Sequence, residues 1–235
     1  MVSAFSLAIY QLGNKSFRRV VWVGLIGALG VFILLWFAVG FVLFKTDLFV
    51  FDGFLFFLNN LLEWVFDISA GVLTLIFSLF LFPSVVSVIV SFFLEEVAQA
   101  VETEYYPSLP TPRKQSTGEL VMVTIKFAIL SLALNIFALP VYVILIFIPP
   151  VNFFVFYALN GYLIGREFFE LVAHRRMDPV QAQYLRRSFS GHVFLAGAVI
   201  AVMMTIPIFN LVAPVIGAAA MVFLFENWRN RVETA

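Results

Sequence analysis

Two adjacent arginines, Arg18 and Arg19, precede an uncharged apolar run at residues 20–44. A guanidinium group presents paired donors in a planar fork that suits the oxygens of a tetrahedral oxyanion. If Ser16 is the N-cap of a helix here, the free backbone N–H groups and the helix dipole favour an anion at the same end. The candidate anion-binding residues are therefore Ser16, Phe17, Arg18 and Arg19. Basic residues at the cytoplasmic end of a membrane span are also the ordinary topology signal, so that alternative stays open.

A second group of charged residues follows another apolar stretch. Arg166 and Glu170 are four residues apart, as are Glu170 and His174, so a helix places all three on one face. This spacing favours a structural ion-pair network. The functional alternative is a cytoplasmic mouth that accepts or passes on an anion, with Arg166 and His174 on its path. The basic residues close by are Arg175, Arg176, Arg186 and Arg187. Such a cluster also suits anionic lipid headgroups.

The composition excludes a soluble domain. Hydrophobic residues make up 63% of the 235 residues, and the mean hydropathy is +1.03, whereas soluble domains are about 45–50% apolar. The length fits a single membrane domain over residues 1–235. The chain has no cysteine, which rules out disulfides, thiolate metal sites and thiol catalysis.

The charge pattern predicts the orientation in the membrane. The uncharged runs at residues 20–44 and 68–94 each exceed the roughly 20 residues that a spanning helix needs. Of the 14 Lys and Arg residues, Lys45 alone lies between them, in a loop at residues 45–67 that carries four carboxylates. The positive-inside rule therefore places this loop outside and both termini in the cytoplasm.

The second half of the chain predicts two helical hairpins. Residues 127–165 and 188–225 are uncharged, and each stretch has basic residues close to both ends. Each is interrupted by a proline followed three residues later by an asparagine, Pro149 in the first stretch and Pro207 in the second. Both ends of each stretch therefore lie on the cytoplasmic side, and each stretch must turn back within or across the membrane.

The second arms of these hairpins are short. Residues 153–165 and 211–225 rise about 1.5 Å each and reach only about 20 Å, against a hydrocarbon core of about 30 Å. We therefore expect hairpins that penetrate the membrane only partly, with two ordinary tilted pairs of spans as the alternative. Asn152 and Asn210 lie at the tips, where each either caps a helix or lines an anion path.

Four smaller features complete the pattern. Residues 3–13 predict a short helix in the membrane interface, and Pro83 predicts a kink or a break in the second span. The polar residues 97–119 predict a cytoplasmic loop. Small residues at 217–220 predict close helix packing, within the chain or between copies.

Signatures of enzymes and of ATP-driven pumps are absent from the sequence. There is no phosphate-cradling glycine-rich loop and no H-E-x-x-H motif, so any transport is passive or ion-coupled. We expect no cofactor, no metal and no nucleic-acid partner. An intramembrane enzyme is disfavoured because the apolar runs hold no pair of acids or histidines.

Several of these segments resemble the CysZ-like superfamily of bacterial inner-membrane proteins, which also includes the eukaryotic etoposide-induced protein. The matching segments are residues 16–19, 82–84, 161–176 and 206–214, of which 165–176 and 206–214 are the most specific. The resemblance extends roughly from Ala4 to Trp228.

This resemblance implies an all-α membrane fold with two long transmembrane helices and two partly penetrating hairpins. It also implies homo-oligomers, and sulfate uptake across the inner membrane for cysteine biosynthesis. The arginine pair of the family, which is implicated in sulfate binding, corresponds to Arg18 and Arg19. One departure is Ser16, which stands where the family has glycine and replaces a close backbone approach with a hydroxyl. The alternative function is a non-transporting membrane scaffold or lipid-interacting protein.

Overall fold

The computed structural model describes residues 1–45 and 57–233, and the regular secondary structure in these ranges is entirely helical. The helices are α1 (Val2–Tyr10), α2 (Lys15–Lys45), α3 (Phe57–Ser91), α4 (Leu94–Tyr105), α5 (Thr117–Ile144), α6 (Pro149–Ala173), α7 (Pro179–Ser188), α8 (Ser190–Thr205), α9 (Pro207–Asn210) and α10 (Ala213–Glu233). The predicted all-α class is confirmed for these residues. Of the predicted outer loop at residues 45–67, residues 46–56 lie outside the described residues, and the part from Phe57 onward belongs to α3.

Span-length helices number three in the described ranges, not two. They are Lys15–Val42, Leu61–Ser91 and Thr117–Phe147, with mean hydropathies of 2.5 to 2.6. The first two overlap the predicted spans at residues 20–44 and 68–94. The third is the first arm of the predicted hairpin at residues 127–165, which is long and apolar enough to cross the membrane by itself. The depth of the hairpins stays a prediction.

The N-terminal segment forms a helix, as predicted for residues 3–13, and its place at the membrane interface stays a prediction. Its Ala4 and Ala8 are buried, and α1 packs against α10. The predicted N-cap of α2 was wrong. Asn14, not Ser16, caps this helix, because its extended backbone lets its Oδ1 accept the Ser16 N–H at 3.1 Å.

The segment after α3 corrects another prediction. Residues 97–119 were expected to be a loop, but the first part of this stretch belongs to α4. Val97, Ala98 and Val101 recur at helical spacing and are fully buried, so α4 holds one apolar face against α10 under a polar exterior. Upstream, α3 continues through Pro83 without a break.

The helices break at both predicted prolines, and the hairpin topology around these breaks stays a prediction. Pro149 and Pro207 occupy the first turns of α6 and α9, where a missing N–H costs nothing. The arms after the breaks are longer than predicted, because the helices continue into charged sequence. α6 reaches Ala173 instead of ending at residue 165, and α10 reaches Glu233 instead of residue 225.

α10 is the central helix of the fold. Every residue from Ala213 to Glu226 is buried, and α1, α4, α6 and α8 pack around it. A helix that is apolar on all sides belongs in an interior of this kind. The small residues at 217–220 lie in this buried stretch, so the prediction of close packing is confirmed within the chain.

The two predicted hairpins contact each other through α6 and α8, whose backbones approach closely at glycines. A Cβ on Gly197 would lie 2.0 Å from the Gly161 carbonyl oxygen and 2.3 Å from the Gly165 nitrogen. Only residues without side chains allow two helix backbones to come this close.

Candidate functional site

The candidate anion-binding residues occupy the first turn of α2 and differ in exposure. Phe17 is fully buried in the apolar core, whereas Ser16, Arg18 and Arg19 are exposed. Phe17 therefore anchors the turn from inside and leaves the two guanidinium groups on the outside. Among residues 1–45 and 57–233, neither Arg18 nor Arg19 has an ion pair or a side-chain hydrogen bond.

A surface pocket of about 430 Å³ lies beside this turn. Ser16 and Arg19 line it from α2, and Glu96 and Gln99 line it from α4. Arg18 is not part of its lining. The pocket therefore offers one guanidinium, one hydroxyl and one amide to a ligand, but it also contains the carboxylate of Glu96, which opposes an anion.

The cap of α2 also connects the two helices that form this pocket. The Asn14 side-chain amide donates a hydrogen bond of 2.7 Å to the Glu104 carboxylate on α4, while its oxygen caps α2. One side chain thus orders the first turn of α2 and joins it to α4. The sequence pattern did not reveal this role, because residues 97–119 were assigned to a loop.

The two tip asparagines have different environments, and neither is a helix cap. The N-cap positions at the two breaks are Ile148 and Ile206, which have no side-chain cap hydrogen bond. Asn152 lines a largely apolar pocket of about 490 Å³ together with Thr205 from the other hairpin. The side-chain oxygen of Asn210 instead accepts a hydrogen bond of 2.8 Å from the Ser87 hydroxyl on α3.

The predicted ion pair on α6 is present. Arg166 Nε donates a hydrogen bond of 2.6 Å to Glu170 Oε1, and Arg186 on α7 lies 3.8 Å from the same oxygen. His174 follows at the end of α6, with only 7% of its surface exposed. Burial lowers the pKa of His174, because the charged imidazolium loses its water, and the nearby Glu170 carboxylate opposes this effect only in part.

Arg175 and Arg176 have a partner that the sequence did not reveal. Both guanidinium groups donate hydrogen bonds to the carboxylate of Glu102 on α4, and Glu102 is 3% exposed. These arginines therefore hold α4 to the end of α6 and are not free to bind headgroups. The acidic partner lies 73 and 74 residues away in sequence, and the helix that carries it had been assigned to a loop.

Within residues 1–45 and 57–233, these features define an all-helical, multi-pass type of membrane protein with an arginine pair that has no ion pair at the start of its first span-length helix. The chain belongs to the family described as Sulfate transporter CysZ/Etoposide-induced protein 2.4, whose model matches residues 4–214. This is a transporter-type family of membrane proteins, and the match confirms the predicted superfamily. A search of curated proteins gave no match.

Proposed function

We propose that the protein is a permease for the uptake of sulfate, or of an oxyanion of similar shape and charge, across the bacterial inner membrane. The observation that carries the proposal is the exposed and unpartnered state of Arg18 and Arg19 within the described residues of this transporter-type family. A guanidinium group that no carboxylate of the described residues occupies remains available to a ligand oxyanion. Sulfate that enters would supply sulfur assimilation and cysteine biosynthesis.

In this proposal the anion meets Ser16, Arg18 and Arg19 on the cytoplasmic side, and Phe17 positions that turn from the core. The positive-inside pattern predicts that both termini lie on this side and that the acidic segment at residues 45–67 lies outside. An acidic outer surface does not attract a dianion. The sequence also has no phosphate-cradling loop for ATP. In this proposal a concentration gradient or a coupled ion therefore drives sulfate uptake.

The path through the membrane is proposed to pass the hairpin tips. Asn152 and Thr205 line one pocket there, and Tyr157 shares a hydrogen bond of 3.1 Å with Thr205 across the two hairpins. Polar groups at hairpin tips in an apolar protein favour a functional role. The outward faces of α2, α3 and α5 are almost wholly apolar and exposed, which leaves ample surface for lipid and for further copies in a homo-oligomer.

The test is radiolabelled sulfate flux into proteoliposomes, with and without a proton gradient. We expect saturable flux in the parent and loss of that flux in Arg18→Ala/Arg19→Ala. Lys114→Ala, which removes an exposed cation far along the chain, is the matched control and keeps the parental rate. No flux above empty liposomes in either condition would refute sulfate transport.

The alternative function is a non-transporting membrane scaffold or lipid-interacting protein, because free arginines also suit lipid phosphates. Thermal unfolding in detergent separates the two functions. A permease is stabilised by sulfate, and this stabilisation falls in Arg18→Ala/Arg19→Ala, since a ligand stabilises only the state that binds it. In a scaffold, removing the two arginines leaves any response to sulfate unchanged and lowers the stabilisation by anionic lipid instead.

A further inference from the structure

A second polar pocket lies where α5, the end of α6 and α7 meet. It has a volume of about 260 Å³, and it shares no residue with the pocket beside Arg19. We call it the α5–α6–α7 pocket. Its polar lining consists of Lys126, Arg166, Glu170, His174, Gln183 and Arg186.

Helical spacing brings these side chains to one place. Arg166, Glu170 and His174 follow one another at intervals of four along α6 and its C-cap, so they share a face. Gln183 and Arg186 are three residues apart on α7 and face the same pocket. The pocket is therefore built from three separate helices and is not a surface run of charges on a single one.

The lining carries more positive than negative charge. Lys126, Arg166 and Arg186 supply three cations against the single carboxylate of Glu170, so the lining itself carries two surplus positive charges. The carboxylate of Glu167 interacts with that of Glu170 but does not line the pocket. Lys126 is exposed and has no ion pair or hydrogen bond among the described residues. The Nε of Arg186 is buried without a hydrogen-bond partner, since Glu170 Oε1 is 3.8 Å away.

Two further carboxylates near this end of the fold, those of Asp178 and Glu119, have partners of their own. The Asp178 carboxylate caps α7 by accepting the backbone N–H groups of Val180 and Gln181 at 2.8 and 2.9 Å. Glu119 is held by the guanidinium of Arg113, one of whose hydrogen bonds is 2.9 Å long. Neither carboxylate lines the pocket.

We propose that the α5–α6–α7 pocket binds a tetrahedral oxyanion, as a site separate from Arg18 and Arg19. The fork of Arg186, the ammonium of Lys126 and the amide of Gln183 supply donors from different directions. These donors suit a free dianion such as sulfate, which would match both surplus charges of the lining, and they also suit the singly charged phosphate of an anionic lipid. The proposal rests on the pocket alone and holds whether or not the protein transports sulfate.

The test uses the full-length protein in detergent and radiolabelled sulfate as the probe. Equilibrium binding is measured in the Arg18→Ala/Arg19→Ala background, so that the first site does not contribute. We expect binding to persist there and to weaken about tenfold or more when Arg186→Ala is added, because a charge-assisted hydrogen-bond donor is lost. Arg187→Ala, an exposed arginine that does not line the pocket, is the matched control and leaves binding unchanged.

A second variant guards against a folding defect. Lys126→Gln removes an exposed cation that has no partner among the described residues, so its folding cost is small, and we expect sulfate binding to weaken several-fold.

A second experiment counts the phosphatidylglycerol molecules retained by the purified protein, using native mass spectrometry. Retention that depends on Arg186 and Lys126, with no sulfate binding, would support the pocket and identify lipid phosphate as its ligand. The proposal is overturned if neither probe responds to Arg186→Ala and Lys126→Gln.

Discussion

The Ser87 hydroxyl on α3 donates a hydrogen bond of 2.8 Å to the side-chain oxygen of Asn210. This bond fixes the end of α9, and with it the tip of the second hairpin, to a span-length helix. The same hydroxyl lies 3.2 Å from the Asn210 carbonyl oxygen, so one residue of α3 contacts both polar groups of the turn. Asn210 is therefore held from outside its own hairpin, which explains why it does not cap a helix.

A double-mutant cycle tests the link between Ser87 and Asn210. We expect Ser87→Ala and Asn210→Ala to show a coupling free energy of about 0.6 kcal/mol, and at most about 1.7 kcal/mol, as interhelical hydrogen bonds in membrane proteins do. The measurement is unfolding in mixed micelles. Ser91→Ala is the control, because the Ser91 hydroxyl bonds to the Val88 carbonyl of its own helix and has no coupling with Asn210. Equal coupling for both serines would contradict the prediction.

The lining of the pocket beside α2 predicts that Arg18, Arg19 and Glu96 affect sulfate binding to different extents. Arg19 lines that pocket and Arg18 does not, so Arg19→Ala weakens sulfate binding more than Arg18→Ala. Glu96→Gln removes the opposing carboxylate and strengthens sulfate binding by about fivefold, which corresponds to about 1 kcal/mol for one charge repulsion near water. Glu95→Gln is the matched control, because this neighbouring acid is exposed and outside the lining. Sulfate affinity that is unchanged in Glu96→Gln would argue that the anion binds elsewhere.

Glu102 predicts a large effect on stability. Replacing it by Gln removes the negative charge that faces both Arg175 and Arg176 in a buried site. The positive charges of the two guanidinium groups are then no longer balanced by a carboxylate. We expect the free energy of unfolding to fall by about 3–5 kcal/mol. Glu104→Gln on the same helix is exposed and costs less than about 1 kcal/mol. A loss of similar size in both variants would show that the ion pairs of Glu102 with Arg175 and Arg176 stabilise the fold no more than an exposed carboxylate on the same helix does.

The sequence predicted the features that depend on local chemistry. Pro149 and Pro207 marked the hairpin breaks because a proline cannot continue a helix but suits its first turn. The spacing of Arg166 and Glu170 predicted their ion pair, because residues four apart on a helix are neighbours. Both inferences needed only residues that lie within a few positions of each other in the sequence.

The features that were missed depend on tertiary contacts. Asn14 caps α2 in place of Ser16 because its backbone is extended there, and Asn14 also reaches Glu104 on a helix that was assigned to a loop. The spacing of Val97, Ala98 and Val101 on that helix is a local signal of an amphipathic helix, but the polar residues between them led to the prediction of a loop. The charge surplus of the α5–α6–α7 pocket likewise arises from three separate segments, so no local pattern contains it.

His174 predicts a loss of stability in acid. Its pKa is lowered by burial, so the folded state resists protonation while the unfolded chain binds a proton near the ordinary pKa of about 6.5. The stability contributed by neutral His174 is complete above that value and is lost as the pH falls below it. We expect the thermal midpoint to fall less between about pH 7.5 and about pH 5.5 in His174→Gln than in the parent. Parallel pH profiles for the two proteins would contradict the prediction.

The close contact of α6 with α8 depends on Gly197. We expect the two helices to separate when this glycine gains a side chain. A Cβ at Gly197 would meet the Gly161 carbonyl oxygen at 2.0 Å, and backbone on both sides cannot move aside as a flexible side chain does. We expect Gly197→Ala to lower the free energy of unfolding by about 1–3 kcal/mol or more.

Gly191→Ala is the control for this substitution, because it lies in the same helix with nothing within 4 Å of the added Cβ, and alanine is the better helix former. The measurement is thermal unfolding of both variants in one detergent, followed by sulfate flux in liposomes. Because Tyr157 and Thr205 join the same two hairpins, separation of α6 from α8 also disturbs the pocket at the tips. Gly197→Ala therefore lowers flux even in the fraction that remains folded, whereas a variant with parental stability and flux would show that the backbone approach is not required.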